Sequence, residues 1–231
     1  TPTRYMTFPP PGFSLQWYEQ FLASRAWMSA TFNSFVVALG AIAIATPLGV
    51  AAAMGLVRGQ FLGRRLAGLL SGTPMVVPTI VAAVAMYFVF ARLGIVGTKL
   101  SLILGHAALV VPVVIVSVTA VLVDFDEDLE KAARSLGANR VKTFYYITWP
   151  LLRPAILSGM LFAFLMSFDE LTVALFVSGV ESQTLPVRMW SAMRDELTPT
   201  IAAVSSLLIL MSVVVILVAQ LAQRLNERRL K

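Results

Sequence analysis

Three ionisable side chains stand within long apolar stretches, and they are the residues of this chain best suited to chemistry. Asp169 and Glu170 are adjacent in the stretch 154–180, and His106, the single histidine, lies in the stretch 100–123. A charged carboxylate at a helix centre in a bilayer costs about 2.5–3.5 kcal/mol on insertion scales, so it is expected to serve a function or to meet a partner. The pair is predicted to act as a gate or a transient contact for a passing solute, in particular one that bears an amine.

A second interpretation of the carboxylates stays open. They could anchor neighbouring helices through hydrogen bonds to Ser167, Thr172 or a second subunit. On a continuous helix they would lie in the outer half of the bilayer, and adjacent residues would point about 100° apart, so at most one would face a path. His106 is expected to be a packing or hydrogen-bonding residue, because a lone histidine makes no metal site.

The polar segment 124–153 between two apolar stretches is a second candidate site. Asp126 or Asp124 is suited to cap a helix whose acidic first turn complements the helix dipole. Gly137 is suited to end that helix, and a second helix is expected from about Val141 until Pro150 ends it or bends it into the membrane. The first helix carries an apolar stripe at helical spacing, formed by Leu129, Ala132, Ala133 and Leu136.

Two short helices joined by a glycine form a compact knob that could dock on another protein. The alternative is an elbow that lies on the membrane surface. The chain has no GxxxxGK[ST] phosphate-binding sequence, so any ATP must be handled by another polypeptide. Cysteine is absent, which excludes disulfides and thiolate chemistry.

The elements that position these residues are five apolar stretches. The chain of 231 residues is 58% hydrophobic and 13% charged, with a mean hydropathy of +0.82, and each stretch exceeds the roughly 20 residues that a membrane helix needs. The predicted fold is an all-α, polytopic integral membrane bundle in a single domain, 1–231. The predicted spans are 31–57, 66–91, 100–123, 154–180 and 197–222.

Glycine and proline shape two of the predicted spans. Gly40, Gly49 and Gly55 lie in the first span, where small residues let helices approach closely. Pro74 and Pro78 are expected to bend the second span. The proline-rich segment 8–12 leads into a predicted amphipathic helix at the membrane surface, and we expect an earlier spanning helix before residue 1.

The net charge of +6 is explained by the distribution of basic residues across the membrane rather than by binding to a nucleic acid. Alternate gaps between spans collect most lysines and arginines, which by the positive-inside tendency predicts an extracytoplasmic N-terminus and a cytoplasmic C-terminus. Twelve of the 18 basic residues fall on the cytoplasmic side in this orientation: Arg58, Arg64, Arg65, Lys131, Arg134, Arg140, Lys142, Arg153, Arg224, Arg228, Arg229 and Lys231.

The spacing of Ala132-Ala133, Gly137, Ile147 and Pro150 resembles the EAA loop of ABC importer permeases. Span number, loop sides and the position of the loop resemble the metI-type permeases of binding-protein-dependent ABC importers over essentially the whole chain. Lys131 departs from the usual glutamate, with Glu130 one residue earlier. The resemblance implies a metI-like permease fold and an ATPase-coupling role for Glu130, Lys131, Ala132, Ala133, Leu136, Gly137, Phe144, Ile147 and Pro150.

The resemblance also implies the partners of the chain. They are a second permease subunit in a heterodimer, a dimer of ATP-binding subunits that bind ATP and magnesium, an extracytoplasmic solute-binding protein and membrane lipid. No cofactor, metal, nucleic acid or enzymatic activity is expected for this chain itself. Its expected location is the bacterial inner membrane.

Residues 167–179 and 185–190 resemble spermidine/putrescine permeases of the PotC type, which implies a polyamine or a related amine or amino-acid-like solute. Thr79 departs from the resemblance, since those proteins often carry an acidic residue after Pro78, and amino acids, opines and betaines therefore stay open. The expected path or gate is formed by Asp169, Glu170 and Thr79. Binding-protein docking is expected at Arg188, Trp190 and Arg194.

Two other functions are compatible with the residues. A proton-coupled secondary transporter would relay protons through Asp169, Glu170 and His106, and would leave the 131–150 loop without a role. A structural membrane subunit of an enzyme complex would transport nothing.

Overall fold

The structure is a computed structural model that describes residues 12, 14–195 and 198–229, and helix dominates these ranges. Residues 8–11 of the proline-rich segment and the start of the fifth predicted span at Leu197 lie outside the described residues. The helices are α1 Gln16–Ala23, α2 Arg25–Arg58, α3 Arg64–Ser71, α4 Thr73–Val76, α5 Thr79–Arg92, α6 Lys99–Val123, α7 Asp128–Ser135, α8 Arg140–Thr143, α9 Trp149–Phe168, α10 Thr172–Val177, α11 Leu185–Asp195 and α12 Pro199–Arg229.

The long apolar helices agree with most of the predicted spans. In the described part of the chain, four helical segments are long and apolar enough to cross a membrane, or five if one sharply bent pair counts as a span. α2 begins at Arg25, earlier than predicted, and has 34 residues. The predicted polytopic all-α bundle is confirmed.

The second predicted span is not one continuous helix. The segments Arg64–Val76 and Thr79–Arg92 meet at 101°, with Val77 in an extended conformation because a residue before proline disfavours the helical region. The 14 residues of α5 rise only about 21 Å, less than the roughly 30 Å of hydrocarbon. The predicted bend of the second span, 66–91, is confirmed.

Glycines bring α2 close to α6 at the centre of the bundle. A Cβ on Gly40 would lie 2.8 Å from Cδ1 of Ile103, and one on Gly49 would lie 2.6 Å from Cβ of Val114. The rising numbers on both helices show that α2 and α6 run parallel. Gly55 differs, because a Cβ there would meet nothing within 4 Å, so its predicted packing role is wrong.

A segment between α10 and α11 ties the other elements together at the end of α6 opposite the 124–153 loop. The side-chain amide of Asn33 donates to the carbonyls of Glu181 and Gln183, both at 3.0 Å. The hydroxyl of Ser182 donates to the carbonyl of Gly97 at 2.8 Å. The 178–185 segment is therefore a fixed strap over the bundle. We call the opposite end, which carries the 124–153 loop, the loop end.

Candidate functional site

The two membrane carboxylates lie at a break in the fourth predicted span. α9 ends at Phe168 and α10 begins at Thr172, so the predicted continuous helix 154–180 is wrong. The angle of about 100° expected between Asp169 and Glu170 on a regular helix does not apply. The break instead places the two side chains in different environments.

Glu170 is occupied by the protein itself. Its carboxylate accepts hydrogen bonds from the backbone N–H groups of Val173 at 3.0 Å and Ala174 at 3.1 Å. These N–H groups begin α10 and have no partner within the helix. The Glu170 side chain is 9% exposed, and one of its oxygens lies 3.7 Å from Nε2 of His106. Glu170 therefore caps α10.

His106 bridges the break from α6. Its Nδ1 shares a hydrogen bond of 2.9 Å with the hydroxyl of Ser167, while its Nε2 faces Glu170. The ring is 1% exposed, and so it contacts both sides of the break from within the core. The predicted hydrogen-bonding role of His106 is confirmed.

Asp169 faces a different surface. It is exposed and borders an open groove of about 380 Å³ between the end of α9 and α12. The groove is otherwise apolar apart from one hydroxyl, with lining residues that include Leu165, Phe168, Leu208, Met211, Ser212 and Ile216. Of the two carboxylates, Asp169 is the one available to a ligand.

Thr79, the third predicted path residue, lies elsewhere. It is the exposed first residue of α5, at the break of the other discontinuous span. α5 packs against α10, and Met86 of α5 and Val173 of α10 both lie within 3.5 Å of the position that a Cβ on Gly105 would take. Thr79 is not among the residues that line the groove beside Asp169.

The polar loop is built as two helices around a glycine turn. The backbone N–H of Asp128 donates to the Asp126 carboxylate at 2.9 Å, so Asp126 is the capping carboxylate of the two candidates. Gly137 has φ +88°. The N–H of Gly137 donates to Arg134 O at 3.0 Å and that of Ala138 donates to Ala133 O at 3.0 Å, a Schellman ending. The predicted stop at Gly137 is confirmed.

The apolar stripe of α7 faces away from the bundle. Leu136 is 88% exposed, and the exposed surface continues past the turn onto the second helix. Among the stripe residues, Ala132 is exposed and Ala133 half-buried. We call this the loop face, and its large exposed residues are Leu129, Leu136, Val141, Tyr145 and Tyr146.

The second loop helix continues into the membrane. α8, a π-helical turn at Phe144–Thr148 and α9 follow one another directly, and together they form one apolar segment, Arg140–Phe168. Pro150 directly follows the π-helical turn, and such a local change in hydrogen bonding accommodates a residue that has no N–H. Of the two outcomes expected at Pro150, an end of the helix or its passage into the membrane, the structure shows the passage into the membrane. Phe144 and Ile147 are half-buried in this segment.

Glu130 points inwards from α7. It is 7% exposed, and its carboxylate accepts short hydrogen bonds from Arg58 at the end of α2 and from the hydroxyl of Thr148. Arg134 adds a contact of 3.4 Å. Burial raises the pKa of Glu130, but the hydrogen bonds from Thr148 and Arg58 and the charges of Arg58 and Arg134 outweigh it, so the pKa lies below its usual range.

Lys131 behaves differently from its neighbour. Its ammonium lies 2.8 Å from Asp128 on the same helix, and both side chains are largely exposed. The hydrogen bond and charge of Asp128 raise the pKa of Lys131, and Lys131 lowers the pKa of Asp128 in return. Exposed pairs of this kind contribute little to stability.

The sequence did not point to Arg58 or Thr148 as site residues, and it suggested Ser167 as a partner of the carboxylates rather than of His106. Arg58 is a basic residue at a helix end, a pattern that indicates only an interfacial position. Thr148 lies 18 residues from Glu130 and Ser167 lies 61 residues from His106. No short-range pattern connects residues at such separations.

The predicted docking residues lie on α11, at the end opposite the loop. Arg188 is half-buried, and its guanidinium lies 5.5 Å from the ring centroid of Trp27. Trp190 is 41% exposed and Arg194 is exposed. Trp190 and Arg194 are thus available to a partner, whereas Arg188 fixes α11 to α2.

The fold and the loop together define the permease subunit of an ABC importer. Residues 45–231 match the family described as the inner membrane component of binding-protein-dependent transport systems. The chain belongs to this family. It is therefore a multi-pass inner-membrane transport subunit rather than an enzyme. Within the described ranges, no three His, Asp or Glu residues are grouped so that they could hold a metal ion.

Individual relatives and solved structures agree with this assignment. The chain is 34% identical over 216 residues to the spermidine/putrescine permease protein PotC of Haemophilus influenzae, covering 94% of this chain and 84% of the relative. It is 35% identical to the putrescine permease protein PotI of Escherichia coli, covering 86% and 73%.

Two ABC transporter structures share the fold. The inward-facing MetNI methionine transporter matches with a TM-score of 0.69 at 17% identity, covering 90% of this chain and 98% of the other. A bacterial importer of the acidic polysaccharide alginate also matches with a TM-score of 0.69, at 18% identity, covering 93% and 80%.

Proposed function

We propose that this permease pairs with a second, related permease to form the path of an ATP-driven importer for polyamines. Two copies of an ATP-binding subunit would dock at the loop end, and an extracytoplasmic binding protein would deliver the solute at the opposite end. The proposal rests on family membership and on identities of 34% and 35% to permeases named for spermidine and putrescine.

The loop face supports docking of an ATPase rather than an elbow in lipid. Its exposed Leu136, Val141 and tyrosines stand on helices whose other side chains carry both signs of charge. An exposed apolar patch rimmed by polar residues is typical of a protein interaction site. By contrast, the acidic start of α7 would be repelled by anionic lipid. Docking would therefore centre on the loop face.

Asp169 is the structural observation that supports a cationic solute. It is an exposed carboxylate at a break in a membrane helix, beside a groove, and discontinuous helices are a common setting for transport sites. Its neighbour Glu170 is committed to α10. Asp169 would hold the ammonium group of a polyamine for the moment of passage.

The contact between His106 and Glu170 raises the alternative of a proton-coupled transporter, in which the two side chains would relay protons. Glu170, however, accepts two backbone hydrogen bonds, and the family to which the chain belongs is coupled to binding proteins. We infer that His106 and Glu170 stabilise the helix break, and that transport is driven by ATP.

The test is uptake by the reconstituted importer, with its ATPases, second permease and binding protein. Labelled putrescine and spermidine should enter proteoliposomes only with ATP and binding protein. Asp169→Asn should raise the KM about tenfold, the size expected when one hydrogen bond to a charged group is lost, whereas Asp169→Glu should retain most uptake. Asp124→Asn, an exposed carboxylate at the loop end, serves as the control.

Two results would overturn the proposal. Uptake driven by a pH gradient without ATP would establish a secondary transporter. Import of an amino acid, an opine or a betaine in preference to either polyamine would exclude polyamines as the solute. Unchanged kinetics in Asp169→Asn would exclude a role for Asp169 in binding the solute.

A further inference from the structure

The buried carboxylate of Glu130 joins three parts of the chain. It lies on α7, accepts from Arg58 at the end of α2, and accepts from Thr148 in the π-helical turn before α9. These residues are 72 and 18 positions away from Glu130 in the sequence. One charged group thus holds together the loop, the longest helix of the bundle and the start of α9.

Arg58 is held firmly at this junction. Besides the ion pair with Glu130, its guanidinium lies 4.7 Å from the ring centroid of Phe125, at the start of the loop. A positive charge in the last turn of α2 also complements the helix dipole. A largely buried ion pair that loses one partner leaves an uncompensated charge, so separating Arg58 from Glu130 would be costly.

The chain connectivity explains why this contact matters mechanically. The loop is covalently joined to α6 before it and to α9 after it. α2 packs along both of these helices but has no covalent link to the loop. Within the described residues, the ion pair of Glu130 with Arg58 is the charged link between α7 and α2.

We propose that the Arg58–Glu130 pair, supported by Thr148, is a mechanical joint that carries the movement of the ATPase-coupling loop into α2. This inference rests on the proposed function, because it takes the loop face as the ATPase docking surface. Arg58 and Glu130 are positioning residues, since both side chains are largely covered between α2 and α7 and neither is part of the exposed loop face. Their role is to make α2 and α7 move as one body.

The first test measures coupling in the reconstituted importer. Arg58→Gln and Glu130→Gln should still bind the ATPase and permit ATP hydrolysis, but solute transported per ATP should fall by about tenfold. Thr148→Val, which keeps the shape and removes one donor, should produce a smaller fall in the same direction. Asp128→Asn, an exposed carboxylate on the same helix, is the matched control and should retain the wild-type ratio.

The second test measures movement, and its first part uses an otherwise wild-type complex and so does not depend on how well those variants fold. The natural chain has no cysteine, so nitroxide labels can be placed on cysteines that replace Gly55, where a side chain meets open space, and Glu127 at the start of α7. The distance between the labels in the otherwise wild-type complex should be the same with and without ATP. In Glu130→Gln the distance should change or broaden when ATP binds.

A distance between the two labels that changes with ATP in the otherwise wild-type complex would contradict the proposal that α2 and α7 move as one body. So would a wild-type transport ratio in both Arg58→Gln and Glu130→Gln. Failure of the proposed function has a different signature, because the wild-type chain itself would then not co-purify with an ATPase.

Discussion

Asp169 and Glu170 are adjacent in the chain and chemically similar, but their side chains lie in different environments. Glu170 has a side chain long enough to reach back over the first turn of α10 and satisfy two N–H groups. Asp169 ends α9 and faces the groove beside α12. A carboxylate that caps a helix is stabilised in place, whereas an exposed one is free to exchange partners. Only Asp169 fits a transient contact.

Gly49 is a residue of the α2–α6 contact at which a single added methyl group is expected to be costly. A Cβ there would lie 2.6 Å from Cβ of Val114, and overpacking a core costs about 1–3 kcal/mol. We expect Gly49→Ala to lower the thermal stability of the purified protein, and Val114→Ala in the same chain to restore part of it. Thermal unfolding in detergent is the measurement.

Gly55 provides the control for this prediction, since it lies on the same helix with open space at its Cβ position. Gly55→Ala should leave the melting temperature unchanged or raise it, because alanine is the better helix former. Equal losses in Gly49→Ala and Gly55→Ala would show that helix contact with Val114 is not the cause.

The helices and turns of the loop end depend on backbone geometry more than on packing. Gly137 has φ +88°, and a Cβ there would meet nothing within 4 Å. Any loss on substitution therefore comes from the left-handed conformation, which costs an ordinary residue about 1–2 kcal/mol. The turn sets the angle between α7 and α8, and with it the shape of the loop face.

We expect Gly137→Val to reach the membrane but to lose ATPase association and transport, since the loop face would be distorted. Gly137→Asp should also reduce ATPase association and transport. Gly137→Asn should reduce them least, because asparagine tolerates the left-handed region. Co-purification with the ATPase is the measurement.

Gly63 is a matched control for the turn, because it has the same φ of +88° and equally open space but lies before α3. Gly63→Val carries the same backbone strain away from the loop face, and should still co-purify with the ATPase. If Gly63→Val loses association as fully as Gly137→Val, general instability would explain both.

The two breaks are the other feature at the scale of elements. One follows from Pro78, which cannot donate a hydrogen bond, and the other occurs at Asp169–Leu171, where proline is absent. The half-helices beyond the breaks, α5 and α10, pack against each other. The bundle thus contains a paired set of short helices at the end opposite the loop.

The whole molecule has a predicted orientation in the membrane, and introduced cysteines can test it. Arg58, Arg64 and Arg65 stand at the same end of the bundle as the loop, and basic residues favour the cytoplasmic side. We expect an impermeant maleimide added to intact cells to label cysteines replacing Leu93 or Glu181. It should not label cysteines replacing Leu62 or Asp128, all four positions being exposed.

After the membrane is permeabilised, the reagent should also label the cysteines at positions 62 and 128. This result checks that those thiols are reactive. Labelling of the Leu62 and Asp128 positions in intact cells would reverse the orientation. It would also place the loop face on the wrong side for an ATPase.

The sequence by itself determined the class of the molecule. Uninterrupted apolar length requires helices in a bilayer, and the local spacing around Gly137 was enough to predict the turn, because a Schellman ending involves residues only a few positions apart. The proline-induced bend at Pro78 was predictable for the same reason.

Only the tertiary structure decided which polar residues work together. Arg58, Thr148 and Ser167, the partners of Glu130 and His106 that come from other helices, lie 18 to 72 positions away in the chain. The break at Asp169 has no proline to signal it. Side chains that far apart meet only after the helices pack, and the packing depends on contacts such as Gly49 with Val114. Local pattern therefore predicted the helices, while packing assigned Glu130 to the interior, Glu170 to a cap and Asp169 to the groove.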